Sequence, residues 1–209
     1  MNSFKTIIFD MGGVILNVDG TSPLLEIAKY YNKKPLYLRS DYQRFIKTIR
    51  IGSEAMPMFE FFSDKYKKPV PENINDIMCE GIKAAKLHNN LVNYVLSLKK
   101  KGLRILILSN SIVQHSDWIR SNGWYDYFDK VYLSHEIGLS KPDQQAYTHL
   151  IEKEKITPFE TIFVDDLLEN IETADRLGFN TILSISEQQV IDNLERLLHS
   201  RLTLAGKKS

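Results

Sequence analysis

The sequence predicts an α/β protein, a parallel sheet covered by helices on both faces, with a small all-helical domain inserted after the first strand. Short apolar runs recur along the chain, long enough for strands and too short for helices. Helical patterns lie between them, and near-continuous apolar strands alternating with helices build a parallel sheet buried on both sides. From about residue 19 to 86 the alternation stops, and helix-like apolar spacing appears without a convincing strand.

Taken in order, Thr6-Ile7-Ile8-Phe9 is a buried strand that breaks into a tight turn at Asp10-Met11-Gly12-Gly13. In the insertion, Leu24, Leu25, Ile27 and Ala28 have helical spacing, as do Phe45, Ile46 and Ile49. Ser53-Glu54 reads as a helix start followed by Met56, Phe59 and Phe62. The aromatic residues of this region (Tyr30, Tyr31, Tyr37, Tyr42, Phe45, Phe59, Phe61, Phe62, Tyr66) are expected mainly to pack the small domain, with some left to shape a pocket. A helix then runs over 89–101 through Leu91, Val95, Leu96 and Leu98, stopped by Gly102. Strands follow at 104–108, 130–133, 161–164 and 181–183, with helices at 143–155, 167–177 (stopped by Gly178) and 187–200. A further helix follows Ser109-Asn110 and carries Trp118, with Trp124 just after it; both are expected to pack. The expected division is a core of 1–18 and 87–209 and a cap of 19–86. There is no internal repeat or low-complexity segment, and 205–209 are expected to fray.

The bulk numbers suit this picture. The 209 residues are enough for one α/β domain or a core plus a smaller insertion. Hydrophobic residues make up 43% and charged ones 25%, an ordinary globular balance. With 27 basic and 26 acidic side chains the net charge is +1, so the overall field points to no nucleic-acid partner. Cys79 is the lone cysteine, which excludes an internal disulfide and an all-cysteine metal cluster. No apolar stretch approaches a bilayer span, and no signal-peptide pattern precedes the first strand. A cytoplasmic protein without a membrane partner is expected; nothing specifies its oligomeric state.

In open parallel sheets, ligands bind at the carboxyl ends of the strands. Three strands end there in polar residues: Asp10, Ser109-Asn110 and Asp165-Asp166. Asp, Ser and Asn are also preferred helix N-caps, so each site taken alone reads first as a cap. Lys141, in Ser140-Lys141-Pro142-Asp143, reads alone as a solvated lysine beside a helix-opening proline. Together they say more. If the strands are neighbours, Asp10, Asp165 and Asp166 crowd three carboxylates at one rim, and like charges that close call for cations. Lys141 supplies one positive charge and leaves about −2 for a divalent metal to cancel. Oxygen-only ligands favour Mg²⁺ over zinc. A carboxylate in such a site can attack phosphorus, while Ser109 and nearby N–H groups hold phosphoryl oxygens.

These segments resemble the motifs of the haloacid dehalogenase superfamily, in the right order along nearly the whole chain. Ile8-Phe9-Asp10-Met11-Gly12-Gly13-Val14 is similar to the first, Leu108-Ser109-Asn110 to the second and Ser140-Lys141-Pro142-Asp143 to the third. Val164-Asp165-Asp166 through Asn170 is similar to the fourth. The resemblance implies a Rossmann-like core with a helical cap after the first strand. It also implies roles: Asp10 as nucleophile and metal ligand, the Gly12 carbonyl as a second metal contact, and Ser109 on the phosphoryl group. Lys141 would steady nucleophile and substrate, and Asp166, with Asp165 beside it, would hold Mg²⁺. Asn110 would contact the substrate, and Gly12 and Gly13 would let the backbone turn beside the phosphate. The implied activity is an Mg²⁺-dependent phosphohydrolase for a small phosphorylated metabolite, a sugar phosphate among the candidates, working through an aspartyl-phosphate.

One position departs from the pattern. Most phosphatases of the superfamily carry a second aspartate two residues after the nucleophile, as general acid–base; here that position is Gly12. Such a group is worth about 10²–10⁴ in rate. Asp19 or water could replace it, or the substrate could have a leaving group that needs little protonation. Two other readings remain open. A 2-haloacid dehalogenase also lacks this aspartate, needs no metal and commonly binds its substrate carboxylate with a cap arginine, for which Arg39, Arg44 and Arg50 are available; Asp165-Asp166 makes little sense in it. A non-catalytic binding protein on the same scaffold would not need to keep such mutually repelling charges. His115 and His135, near strand ends, receive no role; His88 and His149 lack partners at metal-ligand spacing.

Overall fold

The computed structural model describes residues 4–18 and 23–205. Asp19 and residues 206–209 lie outside them. Strand β1 (Thr6–Phe9) is followed by the two-residue β2 (Leu16–Asn17) and four helices, α1 (Pro23–Tyr30), α2 (Pro35–Ile49), α3 (Met56–Tyr66) and α4 (Ile74–Lys83). The chain returns through β3 (Lys86–Leu87) to α5 (Asn89–Lys100), β4 (Arg104–Ser109), α6 (Val113–Ser121) and β5 (Lys130–Leu133). It ends with α7 (Ser134–Ile137), α8 (Gln144–Glu154), β6 (Thr161–Asp165), α9 (Leu168–Arg176), β7 (Asn180–Leu183) and α10 (Glu187–Ala205).

β1, β4, β5, β6 and β7 form one parallel sheet in the spatial order β5-β4-β1-β6-β7. Side chains alternate between the faces of a strand, and here both faces are covered. Ile7, Phe9, Ile105, Ile107, Ile162 and Val164 pack in one layer with Leu91 and Val95 of α5 and Leu194 of α10. Ile8, Leu106, Leu108 and Phe163 pack in the other, with Tyr147 and Leu150 of α8 and Ala174 of α9. Burial on both sides is why these strands read as unbroken apolar runs. Burying each such side chain contributes about 1.5–3 kcal/mol relative to leaving it in water.

The helices α1–α4 pack around a cluster of their own, centred on Ile27, Tyr31, Leu38, Phe59, Phe62 and Met78. Tyr31, Tyr42, Phe59 and Phe62 are buried there, as expected of packing aromatics, whereas Tyr37 is exposed. Ile112, from the loop before α6, joins the same cluster and so ties it to the sheet domain. Polar contacts run along the seam: His115 Nε2 lies 3.0 Å from the Met78 carbonyl, and Gln114 Nε2 donates to Asn75 Oδ1 at 2.9 Å.

Three local features differ from expectation. Helix α3 starts at Met56 rather than at Ser53-Glu54: Ala55 is its N-cap without a side-chain bond, and Pro57 occupies the first turn, where a missing N–H does no harm. Helix α4 was not marked by apolar spacing; Gly81 sits on its buried face with Ile77, Met78 and Ile82 and dilutes the signal. Finally, β2 and β3 pair antiparallel through Leu16–Leu87 and Asn17–Lys86, where the chain leaves and re-enters the sheet domain. A two-residue strand has no periodicity to detect. No helix among the described residues is long and apolar enough to cross a membrane.

Candidate active site

The sheet register brings the predicted residues together. Phe9, the last residue of β1, pairs with Ile107 on β4 and Val164 on β6. Asp10 comes one step later, its N–H donating to the Val164 carbonyl at 2.9 Å. The chain builds β4 and β5 on one side of β1, then crosses to build β6 and β7 on the other. The carboxyl end of β1 is therefore the topological switch point, where open α/β sheets bind ligands.

Lys141, from the loop between α7 and α8, enters this rim with its side chain almost fully buried. Its Nζ donates to Asp165 Oδ2 at 2.6 Å and lies 3.0 Å from Asp10 Oδ1. The second contact is an ion pair, and among the described residues Asp10 Oδ1 accepts no hydrogen bond of good geometry. Asn110 fixes the lysine backbone: its Oδ1 accepts from the Lys141 N–H at 2.9 Å and its Nδ2 donates to the Lys141 carbonyl at 2.7 Å. Asp165 is held from its other oxygen, Oδ1, which accepts from the Leu167 N–H at 2.9 Å and from Asn170 Nδ2 at 2.8 Å. Asn170 Oδ1 is buried and has no donor among the described residues. Helix capping does not account for these residues. The N-cap of α6 is Ile112 and that of α9 is Leu167, and neither helix has a side-chain cap bond.

Gly12 and Gly13 are alike in sequence and different in space. Gly13 has φ +78°, and a Cβ there would overlap the Asp166 carboxyl, with its Cγ at 2.6 Å. Only glycine lets Asp166 come this close to the turn. At Gly12 a Cβ would meet nothing nearer than the Val18 methyls at 3.8 Å among the described residues, so a Cβ fits there.

Electrostatics follow from crowding. Burial raises the Asp10 carboxyl above its ordinary value, opposed by Lys141 and reinforced by Asp165, with the Ser109 hydroxyl also working to lower it. Asp166 is pushed up to about 6 by burial and by Asp10 and Asp165. Burial works against the charge of Lys141, but Asp10 and Asp165 outweigh it and hold the ammonium above its usual value. Three carboxylates against one ammonium leave a charge of −2 when all are ionised.

The donor set fits a hard divalent cation. Asp10, Asp165 and Asp166 each offer a carboxylate oxygen, and these oxygens lie within 4.8 Å of one another. Asp10 Oδ1 is a buried oxygen whose counter-charge is the Lys141 ammonium 3.0 Å away, and that single ammonium does not balance three carboxylates. Every ligand is oxygen, which suits Mg²⁺.

Above this floor opens a cleft of about 310 Å³. Asp10, Gly12, Ser109, Asn110, Lys141 and Asp166 reach it from the sheet domain. Gly13 and Asp165 stand behind its surface. The opposite wall comes from Pro23, Tyr42, Gln43, Ile46, Arg50 and Ile82. Of the three cap arginines, Arg50 lines the cleft, whereas Arg44 engages Asp41 and the Phe45 and Phe61 rings. His115 also lines it; burial lowers its pKa to about 4, with Arg50 adding to that effect and the Met78 carbonyl opposing it. His135 turns away to Ser116 Oγ at 2.9 Å. Trp118 and Trp124 pack edge to face, 5.0 Å apart. Gln43 and Ser111 line the cleft without any prior signal in the sequence, since neither belongs to a pattern that helical or strand spacing exposes.

Known proteins place the chain. It is 29% identical to the D-ribitol-5-phosphate phosphatase of Bacteroides thetaiotaomicron over 192 residues, covering 85% of this chain and 90% of that protein. Its fold matches a HAD family enzyme of Bacteroides thetaiotaomicron at TM-score 0.73, with 23% identity over 87% of this chain and 94% of the other. That enzyme has also been solved in complex with magnesium and inorganic phosphate. A dehalogenase matches at TM-score 0.63 with 18% identity, over 88% of this chain and 85% of its own. Residues 4–178 match the profile of the haloacid dehalogenase-like hydrolases, and the chain belongs to that family.

Proposed function

We propose that the protein is an Mg²⁺-dependent phosphohydrolase of a small phosphorylated metabolite, working through an aspartyl-phosphate on Asp10. The observation that carries this reading is the cluster of Asp10, Asp165 and Asp166 around Lys141, three carboxylates on one ammonium. A dehalogenation site has no use for Asp166, whereas a phosphoryl site needs its charge to hold a cation. Residues 19–86 act in this reading as the cap over the cleft, and 1–18 with 87–209 as the catalytic core.

A carboxylate oxygen of Asp10 attacks phosphorus, the P–O bond to the leaving group breaks, and water then hydrolyses the acyl phosphate and restores Asp10. Asp10, Asp165, Asp166 and the Gly12 carbonyl would hold Mg²⁺, which supplies Lewis-acid compensation of the phosphoryl charge when bound. Lys141 favours the ionised nucleophile against the cost of burial and offsets charge in the transition state. Ser109 donates to a phosphoryl oxygen. Asn110 holds Lys141 in place and borders the substrate.

The relative's D-ribitol-5-phosphate supports a polyol or sugar phosphate as the substrate class. Its leaving group is a primary alkoxide, which needs a proton that Gly12 cannot give. Asp19 or water supplies that proton if this chain takes the same class; a substrate with a better leaving group, such as an anomeric sugar phosphate, dispenses with it. The test is phosphate release from an aryl phosphate and a panel of sugar and polyol phosphates, with Mg²⁺ or with chelator. Release that requires Mg²⁺ is expected; no release from any member of the panel would sink the proposal.

A second reading, 2-haloacid dehalogenation, is favoured by Gly12 together with Arg50 in the cleft. Metal-independent halide release from a 2-haloacid would establish it.

A further inference from the structure

Two histidines stand near the strand ends, and their second ring nitrogens differ. His135 Nε2 meets Ser116 Oγ at 2.9 Å, and its Nδ1 is sealed in the interior without a partner among the described residues. In His115 the bonded nitrogen is again Nε2, 3.0 Å from the Met78 carbonyl. Its Nδ1 has no partner among the described residues either, yet it is not one of the sealed atoms. The cleft is the open space that His115 borders, so Nδ1 is the nitrogen left to it.

The bond to Met78 fixes more than the position of the ring. A carbonyl only accepts, so Nε2 carries the proton and Nδ1 presents a bare lone pair. Burial, helped by Arg50 and opposed by the Met78 carbonyl, works against a second proton, and the pKa falls to about 4. At neutral pH the ring is therefore an acceptor. It does not stand in for the acid missing at Gly12, because its one proton is committed to the Met78 carbonyl. An acceptor selects a donor. A carboxylate or phosphate oxygen at this atom would set lone pair against lone pair. An ammonium there would be opposed by the Arg50 guanidinium, whose charge already disfavours a proton on the ring. An uncharged hydroxyl meets neither objection.

We propose that His115 is a specificity-determining residue of the cleft, whose Nδ1 accepts a hydrogen bond from a hydroxyl of the substrate and so selects a polyol or sugar phosphate over a plain alkyl phosphate. The proposal deepens the phosphohydrolase reading and rests on it for the phosphate; the hydroxyl rests on His115 alone. An alkyl chain laid against Nδ1 strips water from the lone pair and returns no donor, whereas a hydroxyl replaces the water it displaces. Met78 is fully buried in the cap cluster, so its carbonyl holds the ring in one orientation before any ligand arrives.

Asparagine and glutamine separate the two ring nitrogens, since the first places its amide near the position of Nδ1 and the second near that of Nε2. His115→Gln keeps a donor for the Met78 carbonyl and takes the acceptor out of the cleft. His115→Asn keeps the acceptor and gives up the bond to Met78. Calorimetric titration of the Mg²⁺-loaded protein would compare an alkyl phosphonate with the polyhydroxylated phosphonate of the same chain length, neither of which turns over. The wild type should bind the hydroxylated ligand about 5- to 100-fold more tightly, the range for leaving a buried acceptor unpaired. His115→Gln should lose that preference, and His115→Asn should keep part of it although its melting temperature falls. Equal affinity for the two ligands in the wild type, or a preference undiminished in His115→Gln, overturns the proposal. So does an equal loss in both variants, which would make His115 a pin between α6 and α4 and nothing more. Phosphate release from an aryl phosphate is measured alongside. If it is absent while the preference follows His115, the phosphohydrolase reading fails and the hydroxyl subsite stands.

Discussion

On the floor of the cleft, polar side chains are tied to one another from different strands and loops. Asn110 clasps the Lys141 backbone, Lys141 joins Asp165 to Asp10, and Asn170 braces Asp165 from the far side. On the cap wall facing it, apolar side chains predominate and the guanidinium of Arg50 is tied to nothing among the described residues. The floor holds its charges in place before any ligand arrives, which is the condition for electrostatic stabilisation of a transition state.

The floor should therefore fail as a unit when one tie is cut. Lys141→Ala leaves Asp10 and Asp165 buried without their counter-charge and should cost about 3–5 kcal/mol of stability in denaturant titrations, together with activity. A cost below about 1 kcal/mol would mean that the ion network does not hold the floor together. Gly12→Asp probes the gap in the same surface, since the space beside Val18 admits a Cβ. It should raise turnover of alkyl phosphates toward the about 10²-fold that a general acid contributes, with little gain for substrates whose leaving group needs no proton. Gly13→Ala acts differently from its neighbour. Its methyl group overlaps Asp166, so Mg²⁺ affinity should fall about 10- to 100-fold, as when a group orienting a metal ligand is disturbed. An unchanged Mg²⁺ affinity would remove Asp166 from the metal site.

The smallest expected effect is in pH. Without metal, the folded protein keeps a proton on Asp166 up to about pH 6, whereas the unfolded chain releases it near the ordinary value of 3.8. Between those values the folded state binds more protons, so this group's contribution to stability declines as pH rises from about 4 to 6 and is level above that. A cation bound among these carboxylates would relieve the ionised cluster. The rise in melting temperature on adding Mg²⁺ should accordingly be larger near pH 8 than near pH 5, and an equal rise at both would argue against Asp166 as a ligand.

Much of the floor was legible in the sequence because parallel strands announce themselves. Thr6–Phe9, Arg104–Ser109 and Thr161–Asp165 are buried on both faces, so their apolar runs are continuous and the first polar residue after each stands out. Adjacent strand ends then bring Asp10, Ser109 and Asp165-Asp166 together by register alone. Lys141 needed the motif resemblance, since a lysine before a proline in a loop carries no sign of burial. The wall was not legible in the same way. Gln43, Ile46 and Arg50 share a helix face, but which face of α2 meets the cleft depends on how α1, α3 and α4 pack around Tyr31, Phe59 and Phe62. The antiparallel ribbon of Leu16–Asn17 with Lys86–Leu87 was invisible for a simpler reason: its pairing is long-range and each strand is two residues long.

The most direct test of the central claim is to quench the Mg²⁺-loaded protein in acid during turnover of an aryl phosphate and locate any covalent phosphoryl group by peptide mass spectrometry. A phosphoryl group on Asp10, absent from Asp10→Asn protein that also releases no phosphate, is the predicted result. Phosphate release that persists in Asp10→Asn, or a phosphoryl group carried by another residue, would contradict it.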